Sequence, residues 1–216
     1  MSFDTATTRQ RIIAAADSLF AERGFAATSL RSIAACAGVN LAAANYHFGS
    51  TYGPLAAALH ARIAPINEVR LRALDDLEAH PATISVDKVM DAFFLPFVSG
   101  ELKGTLPRLA ARIHAEPEDL IRPLLEQEFL PVLQRFAAAL RPLLPHLETD
   151  ELRWRLHFAV GGMMHLLIFP TPMGMNAAPA GDSVSETAAT AFYRLQQFVV
   201  AGLQQGRETS TEEQRA

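Results

Sequence analysis

Several features that mark particular classes of protein are missing from this sequence of 216 residues. A single cysteine, Cys36, excludes any disulfide within the chain. The longest apolar runs, such as 161–169, fall far short of the roughly 18 residues that a membrane-spanning helix requires. The first ten residues show no basic start followed by an apolar block, so no secretory signal is expected. These absences favour a soluble cytoplasmic protein with no membrane partner.

Positive charge is also scarce, and lysine is absent from residues 1–63. The net charge of −4 argues against a protein that coats nucleic acid indiscriminately. Residues 1–63 nevertheless hold five arginines against three carboxylates, a balance of +2, so the remainder totals −6. This asymmetry permits a nucleic-acid-binding head on an acidic body.

Strand signals are likewise missing, since no long stretch alternates β-branched and polar residues. Apolar residues instead recur at spacings of three and four, which predicts an all-α protein. In the C-terminal two thirds we expect a series of helices and then a polar tail at 206–216. The helices are placed at 86–98, 105–114, 118–143, 149–169 and 183–205.

The N-terminal segment predicts three helices and the start of a fourth. The first covers 8–23 and ends at Gly24. Thr28 is predicted to cap a short second helix, Gly38 to make a turn, and Asn40 to cap a short third helix. Two short helices that are joined at a glycine turn and held by a longer one make a helix-turn-helix.

A proline inside the fourth helix, Pro65, predicts a kink or a break, because it removes a backbone donor and clashes one turn back. We therefore expect a helix-turn-helix domain at 8–64 and a larger helical ligand-binding and dimerisation domain at 65–205. Cys36 is interpreted as packing filler on the core side of the second helix, with a redox sensor as the alternative.

The third helix is unusually slim. Leu41, Ala42 and Ala43 give it a narrow leading edge that can approach base edges in a major groove about 12 Å wide. Tyr46 and His47, at its end, carry ring donors that suit phosphate oxygens. This composition indicates a helix that enters DNA rather than a protein core.

Phosphate contacts are also expected at the second helix. Thr28 at its N-terminus and Arg31 one turn on combine a hydroxyl, free backbone amides and a positive charge. Phe48, in contrast, is expected to turn inward between the third and fourth helices.

The run from 11 to 50, "RIIAAADSLFAERGFAATSLRSIAACAGVNLAAANYHFGS", resembles the DNA-binding domain of the TetR (tetracycline-repressor-like) family of transcriptional regulators. The residues that carry the resemblance are Ala15, Phe20, Gly24, Phe25, Thr28, Ile33, Ala34, Ala37, Gly38, Val39, Tyr46, His47 and Phe48. The resemblance implies an all-helical homodimer that binds a palindromic operator in double-stranded DNA, and a body that binds a small molecule. The DNA contacts that it implies are Thr28, Ser29, Asn40, Leu41, Ala42, Ala43, Asn45, Tyr46 and His47.

One position departs from the family pattern. The family usually has a lysine, which pairs with a phosphate, directly after the turn that ends the third helix; this chain has Thr51 there. We include Thr51 in the DNA-binding set, and expect weaker affinity and a salt dependence shallower by about one unit.

The last two helices, 149–169 and 183–205, each have apolar residues on two sides, which predicts burial on two sides. A four-helix bundle formed by two chains would bury both, and the family resemblance implies this dimer. The alternative is that they complete the core of a monomer.

The middle of the chain predicts an apolar cavity, because phenylalanine and methionine are frequent there. The candidate pocket residues are Phe93, Phe94, Phe97, Arg112, His114, Trp154, Phe158 and His165. Each is individually also explained as an ordinary core or structural residue. Segments of the body resemble a TetR subgroup that includes regulators of fatty-acid metabolism, which implies a long-chain acyl effector.

Enzyme signatures are absent from the sequence. His157 and His165 lack the spacing and the carboxylate of a helical zinc site, and no phosphate loop or nucleophile motif occurs. We expect no catalytic residues, no metal and no cofactor. The sequence thus predicts a homodimeric, sequence-specific repressor released by a small apolar effector. The alternative is a ligand-binding or scaffold protein of the same fold with weakened or lost DNA binding.

Overall fold

The computed structural model describes residues 2–99, 111, 113, 115–169 and 184–206. Most of the helix expected at 105–114 lies outside the described residues, as do the side chains of Arg112 and His114 and the tail from 207 onward.

Throughout the described ranges the regular structure is helical, which confirms the all-α prediction. The first four helices are α1 (Ser2–Arg23), α2 (Leu30–Ala37), α3 (Leu41–Phe48) and α4 (Tyr52–Glu78). The later helices are α5 (Val86–Val98), α6 (Glu118–Leu140), α7 (Thr149–Ile168) and α8 (Val184–Gln204). Short 3₁₀ turns at Pro81–Thr83 and Arg141–Leu143 precede α5 and follow α6.

The chain divides into two compact units, each built from two stretches of sequence. The head unit comprises residues 1–68 and 103–130, and the body unit comprises 69–102 and 131–216. The domain limits expected from the sequence, 8–64 and 65–205, stay predictions.

The head unit has one apolar core to which every helix of the helix-turn-helix contributes. Core side chains of α1, α2 and α4 include Ile12, Ile33 and Leu59, all at most 2 % exposed. The first half of α6 adds Ile121 and Leu124 to the same cluster. Because α3 contributes only Ala44 as a buried residue, most of its surface is left to face outward.

Two glycines set the path of the chain around α3. Gly38 adopts φ +63°, a left-handed conformation that turns the chain from α2 toward α3 at little steric cost. At Gly53, a Cβ would lie 2.9 Å from the carbonyl oxygen of Phe48, so the start of α4 can approach the end of α3 only without a side chain. Phe48 itself packs against the head core, as expected.

Three sequence expectations about this region are wrong. Ser29, not Thr28, is the N-cap of α2. Of the kink or break expected at Pro65, the break does not occur, since α4 continues through it with Ile63 and Ile66 buried in the head; a kink there stays a prediction. Cys36 is exposed rather than packed, since it lies between the buried positions of α2 on the outward side.

The body unit is organised around phenylalanines. The rings of Phe93 and Phe136 meet edge to face at 5.1 Å, and Phe97 packs against Phe192 of α8 at 4.9 Å. These rings are at most 6 % exposed, so α5, α6 and α8 share a tightly filled aromatic core.

Candidate nucleic-acid interface

The N-terminus of α2 is closed by side chains of the head itself. Ser29 accepts a hydrogen bond from the Ser32 amide at 3.1 Å, and the Ser32 hydroxyl accepts one from the Ser29 amide at 3.0 Å. This reciprocal capping box leaves the Leu30 amide, which donates to Thr51 Oγ1 at 3.2 Å. Thr51 therefore links the start of α4 to the start of α2, a role that the sequence did not indicate.

Thr28 lies in the interior of the head. It is 6 % exposed, and its hydroxyl donates to the Gly24 carbonyl oxygen at 2.7 Å. A phosphate oxygen can only accept hydrogen bonds, so a hydroxyl whose proton is already engaged has little to offer it. This geometry favours a structural role for Thr28 in the turn between α1 and α2, and its contact with DNA stays a prediction.

The N-terminus of α3 is capped as the sequence predicted. Asn40 accepts from the Ala43 amide at 2.7 Å through its side-chain oxygen. Just before it, the amides of Gly38 and Val39 donate to the carbonyls of Ala35 and Ala34, which completes a Schellman motif at the end of α2. The angle between the two short helices is thus specified by backbone hydrogen bonds.

The outward side of α3 is polar and slim. Ala42, Asn45 and Tyr46 are exposed, and Tyr46 has 84 % of its surface accessible. Leu41, Ala43 and His47 are half-buried. The tyrosine and histidine rings meet edge to face at 5.4 Å near the end of the helix. The structure thus brings these six predicted DNA-contact residues onto one helix, beside Asn40.

The arginines of the head differ in what they contact. Arg62 forms a bidentate pair with Asp17, with Nε 3.0 Å from Oδ1, and this hydrogen bonding raises the pKa of Arg62. Arg9 lies over the Phe48 ring at 5.4 Å. Arg31, in contrast, is exposed in the first turn of α2, beside the Ser29 cap. The exposed position of Arg31 therefore fits the phosphate contact that was predicted for it.

Two acidic residues of the C-terminal half belong to the head unit and were missed by sequence reasoning. Glu116 accepts a hydrogen bond from the Phe25 amide at 2.7 Å. Glu128 pairs with His60 of α4 at 3.0 Å, and its carbonyl accepts from the Asn67 amide group at 2.9 Å. No local pattern could reveal these contacts, because the partners are 61 to 91 positions apart.

The candidate ligand residues are not brought together among the described side chains. Phe93, Phe94 and Phe97 are buried in the aromatic core of the body unit. Trp154 and Phe158 are 58 % and 65 % exposed on α7, and His165 is exposed on the same helix. This difference arises because α7 turns its other side, with Leu156 and Ala159, to the core, and a ligand pocket that includes these residues stays a prediction.

A buried arginine in the body unit also escaped sequence reasoning. Arg70 is 1 % exposed; its Nε donates to the Phe93 carbonyl at 2.8 Å, and its guanidinium lies 4.3 Å from the Phe93 ring centre and 5.0 Å from that of Phe97. Burial lowers the pKa of Arg70 to about 9. A charged residue in a helix pattern is ordinarily placed outside, so its position could not be read from the sequence.

The body unit exposes four large aromatic side chains. These residues, which we call the outer face, are Trp154 and Phe158 of α7 and Tyr193 and Phe198 of α8. Their exposed fractions range from 53 % to 77 %. Both α7 and α8 also have a buried side, so each is buried on one side in the single chain, and the burial of the other side stays a prediction.

The architecture of a helix-turn-helix head followed by a helical body is that of a class of bacterial transcriptional regulators. Residues 12–58 match the profile of the family described as "Bacterial regulatory proteins, tetR family". Residues 91–202, more than half of the chain, match that of "Tetracyclin repressor-like, C-terminal domain". The chain belongs to the TetR family of transcriptional regulators.

Solved structures of similar fold bear the names of regulators. SmeT, the repressor of the Stenotrophomonas maltophilia multidrug efflux pump SmeDEF, is 20 % identical with a TM-score of 0.63, over 92 % of this chain and 91 % of SmeT. The fatty acid degradation regulator FadR of Bacillus halodurans is 16 % identical with a TM-score of 0.57, over 90 % and 95 %. GusR of Salmonella enterica is 18 % identical with a TM-score of 0.56, over 92 % and 96 %. Among curated proteins, none matches the sequence.

Two searches of the described residues were negative. No helix there is both long enough and apolar enough to cross a membrane. No group of three or more histidine, cysteine or acidic side chains is placed to hold a metal ion in that part of the chain.

Proposed function

We propose that this chain is a homodimeric, sequence-specific DNA-binding repressor of the cytoplasm that a small apolar effector releases from its operator. The observation that carries the proposal is α3: a capped helix with one buried residue, whose outward side offers alanines, an amide and a phenol. Small side chains let the helix axis approach the base edges, and the donors at its end suit the phosphate backbone.

The outer face supports the dimer. Four aromatic side chains of α7 and α8 are exposed in the single chain, and a two-fold arrangement that pairs these helices would bury them. A dimer presents two copies of α3, which suits a palindromic operator with half-sites roughly 34–36 Å apart.

The effector proposal rests on the relatives and on composition. SmeT has been solved in complex with triclosan, and FadR is named for fatty acid degradation. A small apolar effector, with a long-chain acyl group as the candidate class, suits the phenylalanine-rich body. The effector would bind more tightly to a conformer of the dimer whose two heads are wrongly spaced for DNA. Helix α4 would transmit the change from the body to the head. An effector that bound both conformers equally would not change their populations.

The alternative is a protein of this fold that binds ligands or partners but has lost DNA binding. Its support is Thr51, which replaces the cation that the family places there. The hydroxyl oxygen of Thr51 also accepts a hydrogen bond from the Leu30 amide of α2. The two functions differ in whether the purified chain binds any duplex selectively.

Selection from a random duplex pool tests the DNA-binding proposal. The full chain should enrich a palindromic sequence, and a gel shift should then show selective binding to it and to the DNA upstream of its own gene. Ala42→Glu, which places a carboxylate on the exposed side of α3, should abolish binding, whereas the matched Ala14→Glu on α1 should not. Failure to enrich any sequence at low salt would favour the alternative.

The effector is tested on the enriched duplex. Saturated fatty acids of increasing chain length, and their CoA thioesters, should weaken binding progressively as the chain lengthens. Mass spectrometry of molecules that co-purify with the protein identifies the class without prior choice. If no acyl compound changes the affinity and none co-purifies, the acyl class is excluded.

A further inference from the structure

Arg11 of α1 contacts the end of α2, where the chain turns toward α3. Its Nη2 atom donates to the carbonyl oxygens of Ala37 at 2.5 Å and of Gly38 at 2.9 Å. Arg11 was counted in the charge of the head but had no place among the predicted DNA contacts. It also lies just outside the residues that match the family's N-terminal profile, which begin at 12.

These two carbonyls are not used by the hydrogen bonds that end α2. The Schellman motif uses the carbonyls of Ala34 and Ala35, which accept from Val39 and Gly38. The carbonyls of Ala37 and Gly38, further along the turn, accept their hydrogen bonds from Arg11 of α1. A guanidinium is suited to this position because the C-terminus of a helix carries partial negative charge.

Arg11 is closely packed against the turn between α2 and α3. A Cβ on Gly38 would lie 2.8 Å from Arg11 Nη2, so the guanidinium packs closely against the left-handed residue of the turn. Two residues later, Asn40 caps α3 through the Ala43 amide. Two contacts thus set the direction in which α3 leaves the turn. Arg11 binds the carbonyls of Ala37 and Gly38 before the helix, and Asn40 caps its first turn.

We propose that Arg11 is a positioning residue for DNA binding, which orients α3 by holding the turn at Ala37 and Gly38 and does not itself contact DNA. The inference rests on the proposed function of α3. The guanidinium of Arg11, one of the few cations of the head, is then bound to the protein's own backbone. Arg11 therefore adds no phosphate contact, although it lies on the surface.

Salt dependence distinguishes positioning from contact. On the duplex enriched by the full chain, Arg11→Gln should weaken binding about tenfold at every salt concentration and leave the slope of log affinity against log salt unchanged. Arg31→Gln is the matched control: it removes an exposed arginine from the same head and should lower the magnitude of that slope by about one unit. Arg11→Lys, which keeps a cationic donor, should recover part of the lost affinity.

Hydrogen exchange of the DNA-free protein gives an independent measurement. In Arg11→Gln, amides of residues 36–45 should exchange faster, while those of α1 and α4 keep their rates. Arg31→Gln should leave residues 36–45 unchanged. Faster exchange throughout the head would indicate a general loss of stability and overturn the positioning role.

Each outcome has a defined meaning. A slope that falls by one unit in Arg11→Gln would show that Arg11 pairs with a phosphate, and unchanged affinity would show that α3 needs no such support; either result overturns the inference. If the full chain enriches no duplex, the proposed function fails. The exchange experiment still tests whether Arg11 holds the turn, so the two failures are distinguishable.

Discussion

The head unit and the body unit each expose aromatic side chains, but in surroundings of opposite character. On α3, Tyr46 is 84 % exposed among alanines, an asparagine and a histidine. Among the residues of the outer face, Phe198 and Phe158 are 77 % and 65 % exposed, and the Phe158 ring lies 5.8 Å from that of Trp154. The exposed residues of α3 are small or carry hydrogen-bond donors, whereas those of the outer face are large aromatics.

This difference shows that exposure alone does not identify a partner. A slim surface with donors can enter a groove lined with acceptors and bounded by phosphates. A broad aromatic surface gains most by meeting another apolar surface, since its burial removes a large area from water. The same residue class therefore supports the proposed DNA contact on one unit and the proposed dimer contact on the other.

The largest expected effect is on the outer face. Phe158→Glu should dissociate the dimer, with the dissociation constant rising at least a hundredfold, because two-fold symmetry places an unpaired carboxylate in the interface twice. Sedimentation over a range of protein concentrations measures this. Leu95→Glu makes a similar change at an exposed apolar residue of α5, outside the two helices that carry the outer face, and should leave the dimer intact. A Phe158→Glu protein that remains dimeric would remove the outer face from the interface.

The next effect tests the slim edge of α3. Ala42→Leu should weaken operator binding at least tenfold, because a larger side chain holds the helix away from the bases; direct base contacts are each worth about 1–3 kcal/mol. Ala14→Leu, at an exposed alanine of α1, is the control and should bind normally. Equal affinities in a titration of the two variants would contradict an edge-first approach of α3.

A smaller effect is expected for the phenol of Tyr46. Tyr46→Phe removes one donor to a charged phosphate and should weaken binding by about 1.5 kcal/mol, close to tenfold, with little change in sequence preference. Tyr193→Phe makes the same chemical change on the outer face and should leave the affinity for DNA unchanged. If both variants lose affinity for DNA, or if neither does, the Tyr46 hydroxyl has no specific role as a phosphate donor.

The smallest effect concerns Thr51, where a gain and a loss oppose one another. Thr51→Lys should steepen the salt dependence by about one unit through a new phosphate contact, but it also loses the hydrogen bond to the Leu30 amide. Thr51→Ala loses that hydrogen bond alone and should destabilise the head by about 1 kcal/mol in thermal unfolding. The difference between the two variants isolates the charge. An identical salt slope in both would mean that position 51 does not face a phosphate.

The sequence predicted those parts of the fold that depend on local chemistry. The Asn40 cap, the glycine turn at Gly38 and the span of α5 follow from residue types within a few positions of one another. Apolar spacing likewise gave α6 and α7 nearly to the residue. The exposed polar side of α3 was also predicted. Alanines occupy positions where a core helix would have large apolar residues, so the helix has little apolar surface to bury.

The features that were missed depend on tertiary structure. The N-cap of α2 is the residue whose hydroxyl accepts from an amide of the first turn. Ser29 does so at the Ser32 amide, whereas the Thr28 hydroxyl points inward and donates to the Gly24 carbonyl. Arg70 is buried because Phe93 offers it both a carbonyl and a ring face, a pairing across 23 positions. Trp154 and Phe158 were assigned to a cavity because apolar periodicity does not tell an inner side of a helix from an outer one.

The inclusion of residues 103–130 in the head unit limits how this regulator can be recombined with its relatives. Ile113, Ile121 and Leu124 complete the apolar core around Ile12 and Ile33, and Glu116 holds the Phe25 amide. A chimera that takes only the first 68 residues would leave these contributions behind. Transfer of the proposed DNA specificity of this chain to a foreign body therefore requires three junctions, so that evolution or an engineer must exchange a discontinuous module.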